Sequence, residues 1–314
     1  MGAFNTYSGP SSLGKYKDIY DELFYVNANE TQLFDMSGND SGVMNSKVEW
    51  VEKIEGAQTL HQYTVYEGQA LSANATPTSK NERYNYIEEF AVPFDVTKRA
   101  AELAKNGGEA GVTNLVDTAM KEAQVKLKIA NELSMTFGTL SIGNATAAGS
   151  QMDGLVTIAG TLGTDCYLTA ITSATETTFR TALNTNASAG GLMTNKKILM
   201  LSYTHKDSIG LNWKGNATDV NSVVEEAKIY ADVKIYVSQY GPITVVGNRN
   251  FNATLSTSTY GILFEKDYLN KVWLYNSQIM DKSTNKINAS DFSYVNCFTL
   301  RYDKPTTLMQ IIIS

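Results

Sequence analysis

Val112, Val116, Ala119, Ala123, Leu127, Ala130, Leu133 and Phe137 recur every three or four residues, which places them on one face of an α-helix. Thr113 or Asn114 can cap its start and Gly138 can end it. At ~1.5 Å per residue such a helix is on the order of 35–40 Å long. Its other face carries Asp117, Lys121, Glu122, Lys128 and Glu132, which reads as a solvated strip. No other segment shows so long a single period, so the remaining elements are placed around this one.

Upstream, the pattern changes from a period of 3.6 to a period of two. In KVEWVEKIE (47–55), Val48, Trp50 and Ile54 alternate with charged residues; in RYNYIEEFAV (83–92), Tyr84, Tyr86, Phe90 and Val92 share a face. Both predict strands. The polar stretch around Leu71 to Asn81 between them predicts a mobile tip. Together they form a long two-stranded arm, and a lone hairpin is marginal in water, so the arm must lie on something. Lys15 to Val26 has helical spacing at Tyr16, Ile19, Tyr20, Leu23 and Phe24, and Asp95 to Lys105 predicts a short helix stopped by Asn106-Gly107-Gly108.

Beyond Gly138 a small-residue linker (SIGNATAAGS) reaches Met152-Asp153-Gly154-Leu155. A helix over Glu176–Leu183, a buried strand Lys197–Ser202 and a short helix His205–Leu211 follow. KIYVSQYGPITVVGNRNF (234–251) predicts a hairpin turning at Tyr240-Gly241-Pro242, with Val237, Ile243, Val245 and Val246 packed inward. The chain closes through YGILFEKDYL, the run Val272-Trp273-Leu274-Tyr275, and strands Ser293–Tyr302 and Thr307–Ile313 joined at Asp303-Lys304-Pro305.

Sites for chemistry fail inspection. Gly9-Pro-Ser-Ser-Leu-Gly14-Lys15-Tyr16 approximates a phosphate loop, but Tyr16 replaces the magnesium-binding hydroxyl and no strand precedes Gly9. His61 and His205 belong to no metal-binding spacing. Cys166 and Cys297 have no evident base and read as small buried hydrophobes. Carboxylates are scattered, so no acid–base pair stands out. No cofactor or metal is expected, and the chain does not read as an enzyme.

At 314 residues the chain can bury one sizeable core or two. The absence of a signal-like start and of an apolar run near the ~18 residues of a membrane helix predicts a soluble protein with no membrane contact. A net charge of −6 argues against a basic nucleic-acid-binding stripe, but not against a wall that faces packaged nucleic acid.

Taken in order, these elements resemble the major capsid protein of tailed bacteriophages, the HK-type capsid fold. Within it they look like the family typified by podovirus-like phages with a Gly-Pro/Gly-Thr hairpin turn. The resemblance rests on Met152-Asp153-Gly154-Leu155, on KKILMLSYTHKDSIGL, and on a YVSxYGxxxVVxNRxF hairpin. That hairpin is matched by Tyr236, Val237, Ser238, Tyr240, Gly241, Val245, Val246, Asn248, Arg249 and Phe251, and YGILFEKDYLNKVWL follows.

The resemblance implies an α+β fold with an N-terminal arm (1–45), an extended loop (46–94), a peripheral domain with a spine helix (95–150), an axial domain (151–261) and return strands (262–314). It implies a subunit that self-assembles into pentamers and hexamers of an icosahedral shell around packaged double-stranded DNA. The DNA would be met on the inner face without sequence readout. The expected location is the virion capsid, assembled in the host cytoplasm. Scaffolding, if used, is expected from a separate protein, and portal and decoration proteins are further partners to consider.

The candidate intersubunit residues are Trp50, Tyr84, Tyr86 and Phe90 as anchors of the arm. Glu88 and Glu89 are expected to face a basic strip on a partner. Arg249 leaves the hairpin either toward a neighbour or into solvent. The main alternative is an encapsulin-like nanocompartment shell on the same fold. A β-rich carbohydrate-binding module and a phosphate-loop enzyme are the readings from other classes.

Overall fold

The computed structural model describes residues 31–41, 45–54, 67, 79–97, 115–143, 149–192, 194–213, 217–219, 233–251, 261–281 and 289–313. The helix expected at Lys15–Val26, the Gly9–Tyr16 segment and His61 lie outside these. The chain divides into two units. One comprises Thr31–Glu89, Asn131–Tyr275 and Cys297–Ser314; the other includes Phe90–Ala130 and Asn276–Asn296.

The long helix is present as α2, Leu115–Phe137, after a short α1, Gln32–Met36. Gly138 ends α2 as expected, its N–H donating to Ser134 O at 2.8 Å. The polar strip does not hold throughout. Glu132 is fully buried, as are Asn131, Met135 and Thr136, while Leu133 and Phe137 are only half-buried. The buried stripe therefore runs Ala123, Leu127, Asn131, Met135, and the buried carboxylate of Glu132 beside it is met by partners distant in sequence.

Gly154 explains the Asp-Gly-Leu motif. Its N–H donates to Gly138 O at 2.9 Å, and a Cβ placed on it would fall 2.5 Å from Gly138 N and 2.8 Å from Phe137 N. Only a residue without a side chain lets the two backbones meet there. Helix α3, Leu155–Leu162, starts at this contact, and Thr157 Oγ1 reinforces it by donating to Gly138 O at 2.7 Å.

A seven-stranded mixed sheet carries the main core. Its strands in chain order are β5 (Thr164–Leu168), β6 (Lys197–Leu201), β7 (Ala217–Asp219), β8 (Val233–Ser238), β9 (Gly241–Gly247), β10 (Gly261–Glu265) and β13 (Met309–Ile313). They lie side by side in the order β5-β13-β10-β6-β9-β8-β7. All five residues of β6 and of β10 are buried, with the apolar runs Ile198–Leu201 and Ile262–Phe264 in the middle of the sheet and Lys197 and Glu265 paired at one end. Helices α4 (Thr175–Ser188) and α5 (Tyr203–Asn212) supply the covering side chains.

An aromatic trio sits at the centre. The Phe179 ring lies 5.1 Å from Trp213 and 5.6 Å from Tyr236, and those two rings are 5.7 Å apart. Their polar ends are satisfied: Trp213 Nε1 donates to Thr172 O (2.6 Å) and Tyr236 Oη to Glu176 Oε1 (3.0 Å).

The β8–β9 hairpin forms, with two corrections. Its turn residues are Gln239 and Tyr240, because Ser238 pairs with Gly241, which opens β9 at φ +99°. Ser238 Oγ closes the turn by donating to Gly241 O at 2.8 Å. The inward residues are Tyr236, Ile243 and Val245, whereas Val237 is 47% exposed, because period-two alternation turns it away once Tyr236 faces the core.

Strands β1 (Gly38–Ser41), β4 (Glu88–Thr97), β11 (Leu269–Asp281) and β12 (Ala289–Tyr302) make a four-stranded sheet ordered β1-β11-β12-β4. Since β4 runs through Thr97, no helix starts at Asp95; Val96 is buried on the alternating pattern of a strand. Among the described residues, strands β2 (Lys47–Ile54) and β3 (Ser79–Tyr86) pair only with each other. Ser79 to Asn81, expected in the mobile tip, already belong to β3.

Candidate intersubunit surface

The ribbon formed by β2 and β3 has two unlike faces. Antiparallel pairing sets Lys47 opposite Tyr86, Glu49 opposite Tyr84, Trp50 opposite Arg83 and Glu52 opposite Asn81. Opposed residues project to the same side, so Val48, Trp50, Glu52, Arg83 and Asn85 share one face. Lys47, Glu49, Val51, Glu82, Tyr84 and Tyr86 share the other. The first face is turned to the subunit's own body: Glu52 and Asn85 are 6% and 1% exposed. The second is open, with Val51 at 53% and Tyr84 at 47%.

The arm was expected to use Trp50 together with the tyrosines. The register separates them, placing half-buried Trp50 on the inner face and the tyrosines on the outer one. On the outer face Tyr84 and Tyr86 meet edge to face at 5.9 Å, and Lys47 Nζ lies 4.2 Å from the Tyr84 ring centre. Lys47 is also ion-paired with Glu49. This face is an aromatic patch framed by balanced charge.

The strand expected over Arg83–Val92 is broken at Ile87. Its N–H donates to Ser46 O at 3.0 Å, closing the ribbon, and its side chain is buried. From Glu88 onward the chain joins a different sheet. Glu88 is engaged within its own subunit: its Oε2 accepts from Ser134 Oγ (2.5 Å) and from Met152 N (3.2 Å). Burial raises its carboxyl above the usual range, against the effect of these two bonds. Glu89 is exposed and accepts from Tyr275 Oη at 2.7 Å. Phe90 is half-buried in β4.

Arg249 is exposed on the short 3₁₀ turn Arg249–Phe251, while Phe251 beside it is fully buried against Phe137 at 5.4 Å. Asn248, the last polar residue before that turn, is buried. Its Nδ2 donates to Glu132 Oε1 at 3.1 Å. The same carboxylate accepts from Leu33 N (3.0 Å) and Phe34 N (2.7 Å), capping α1 from a distance. Burial is the largest influence on Glu132 and pushes its carboxyl upward.

Both cysteines are buried. Burial pushes the Cys166 thiol up to about 12 and the Cys297 thiol to about 11, which keeps both as unreactive thiols at neutral pH. His205 stands in the first turn of α5, where Ser202 caps its N–H at 3.3 Å. Among the described residues no group of three or more His, Cys, Asp and Glu is placed to hold a metal ion. Among them, too, no helix is long and apolar enough to cross a membrane.

The fold is that of phage capsid subunits. The cyanophage A-1(L) capsid subunit matches at a TM-score of 0.64 with 17% identity, covering 93% of this chain and 95% of that one. The cyanophage P-SCSP1u capsid matches at 0.57 with 13% identity, covering 95% and 93%. The capsid of a native GTA particle matches at 0.60 with 8% identity, covering 98% and 96%. No curated protein matches the sequence.

The family model described as "SU10 major capsid protein" matches residues 2–312, and the chain belongs to that family. It is a phage major capsid protein, a subunit that associates with copies of itself in the icosahedral shell of the virion. The nanocompartment alternative is not favoured.

Proposed function

We propose that this subunit forms pentamers and hexamers of the shell, and that the outer face of the β2–β3 ribbon is the surface laid across the seam between neighbouring copies. The observation that carries this reading is the two-sided ribbon: its inner face is committed to its own body, yet Val51 and Tyr84 remain about half exposed on the other side. An aromatic patch of that kind is removed from water only by a second molecule. Heterologous contacts of one type, repeated around a rotation axis, close into rings, and bent and flat versions of those rings tile a closed surface. The protein works by contact and carries out no reaction.

The shell encloses double-stranded DNA, which the inner wall meets without reading sequence. A net charge of −6 suits a wall that confines DNA without gripping it. Assembly takes place in the host cytoplasm, with scaffolding, portal and decoration functions supplied by separate proteins.

A labelling experiment tests the ribbon assignment. Both native cysteines are buried, so a Val51→Cys variant reports on one position. Its thiol should react rapidly with a maleimide in the free subunit and become protected on assembly. Equal reactivity in the two states would overturn the assignment.

A further inference from the structure

The inner face of the ribbon meets the body through buried polar groups, and one of them is fully engaged. Asn85 Nδ2 donates to Asp153 O (3.1 Å) and to Leu300 O (2.9 Å). Its Oδ1 accepts from Asp153 N and from Tyr86 N, both at 2.9 Å. A carboxamide has two donor hydrogens and two acceptor lone pairs, and all four are used. The partners come from three places: the loop before α3, strand β12, and the ribbon itself. No other side chain of this size offers two donors and an acceptor in one plane. Aspartate would set a carboxylate against two carbonyl oxygens.

Asn85 stands two residues before Ile87, where the chain leaves the ribbon for the four-stranded sheet. A second contact holds β2. Glu52 Oε2 accepts from Arg83 Nη2 (3.0 Å) and Nε (3.2 Å), and its Oε1 accepts from Thr306 Oγ1 at 2.8 Å. Both strands are thus tied to the body by side chains that are almost entirely buried.

We propose that Asn85 is the positioning residue of the ribbon: its four hydrogen bonds fix the direction in which β2 and β3 leave the body, with the Glu52–Thr306 contact as a second tie. The outer face is then presented in its working orientation before any neighbour arrives, so assembly does not have to order it. This inference rests on the reading of the outer face as an intersubunit surface.

The test uses hydrogen exchange on the unassembled full chain together with electron microscopy of its particles. Asn85→Ala should speed exchange at least tenfold at the amides of residues 80–87, leave β6 and β10 unchanged, and shift the products from closed shells to irregular ones. Unchanged exchange at the ribbon would overturn the inference, as would faster exchange accompanied by normal shells. Should Asn85→Ala yield no folded chain, Asn85→Asp, which keeps the side chain's size but sets a carboxylate against the carbonyls of Asp153 and Leu300, carries the same test with the same two contradicting outcomes. Tyr84→Ser, which leaves the ties intact, separates the two claims. Normal shells from that variant would refute the outer-face reading, while the exchange result still decides whether Asn85 holds the ribbon.

Discussion

Replacing Tyr84 with serine should weaken assembly far more than it weakens the subunit. In the free chain Tyr84 keeps 47% of its surface in water. The truncation loses the edge-to-face contact with Tyr86 at 5.9 Å and the Lys47 ammonium at 4.2 Å. Contacts of that kind at an exposed site contribute about 1 kcal/mol. A buried aromatic side chain removes ~150–250 Å² from water. Covering the exposed half of Tyr84 against a neighbour therefore buries on the order of 100 Å², which at ~25 cal/mol per Å² gives about 2–3 kcal/mol per seam. That is roughly a 30- to 150-fold change in each contact's association constant. Thermal melting of the unassembled chain should move by only a few degrees, while sedimentation should show a concentration threshold for particles raised at least tenfold. An unchanged threshold would refute the placement of Tyr84 at a seam.

Four further outcomes follow from the packing. Trp50→Ala acts on the inner face and should cost the free subunit about 2 kcal/mol, less than a fully buried tryptophan because Trp50 is half-buried; chemical denaturation measures it. Gly154→Ala drives a methyl into the backbone of Gly138 and Phe137 and should cost about 1–3 kcal/mol by the same assay. Phe179→Ala opens the aromatic trio and should cost about 3–5 kcal/mol.

Glu132→Gln places an amide donor against at least one of the three donors its carboxylate now accepts, costing about 1–3 kcal/mol at neutral pH. Because burial raises the folded-state pKa of Glu132 above its ordinary 4.5, the folded chain binds the proton more tightly than the unfolded one. This contribution to stability is therefore largest below pH 4.5 and is lost as pH rises through the folded value. Denaturation midpoints measured across that window should show this slope in the parent and not in the glutamine variant.

Patterns repeated within one element were legible in the sequence. The three-to-four spacing from Ala119 to Leu127 gave α2, and alternation at Ile243 and Val245 gave β9, because each period is set by local backbone geometry. What escaped depended on partners far away in the chain. Glu132 looked like part of a solvated strip, since nothing near it shows that the amides of Leu33 and Phe34 come to its carboxylate. The break at Ile87 escaped because Tyr84, Tyr86, Phe90 and Val92 keep one phase across it in the sequence. The buried side of the chain passes instead from the odd residues Asn85 and Ile87 to the even ones from Glu88 onward as the partner strand changes.

The ribbon's two faces needed a register, and pairing Trp50 with Arg83 rather than with a neighbour one residue away decides which side each aromatic takes. Asn85 gave no signal at all, being one asparagine in an asparagine-rich chain. Its importance lies in the convergence of Asp153 and Leu300 on it.

The most direct test is a cryo-microscopy reconstruction of assembled particles at side-chain resolution. A neighbouring copy should cover Val51 and Tyr84 while Glu52 and Asn85 keep the partners they have in the free chain. A closed shell that leaves the tyrosine face of the ribbon open to solvent would contradict the account.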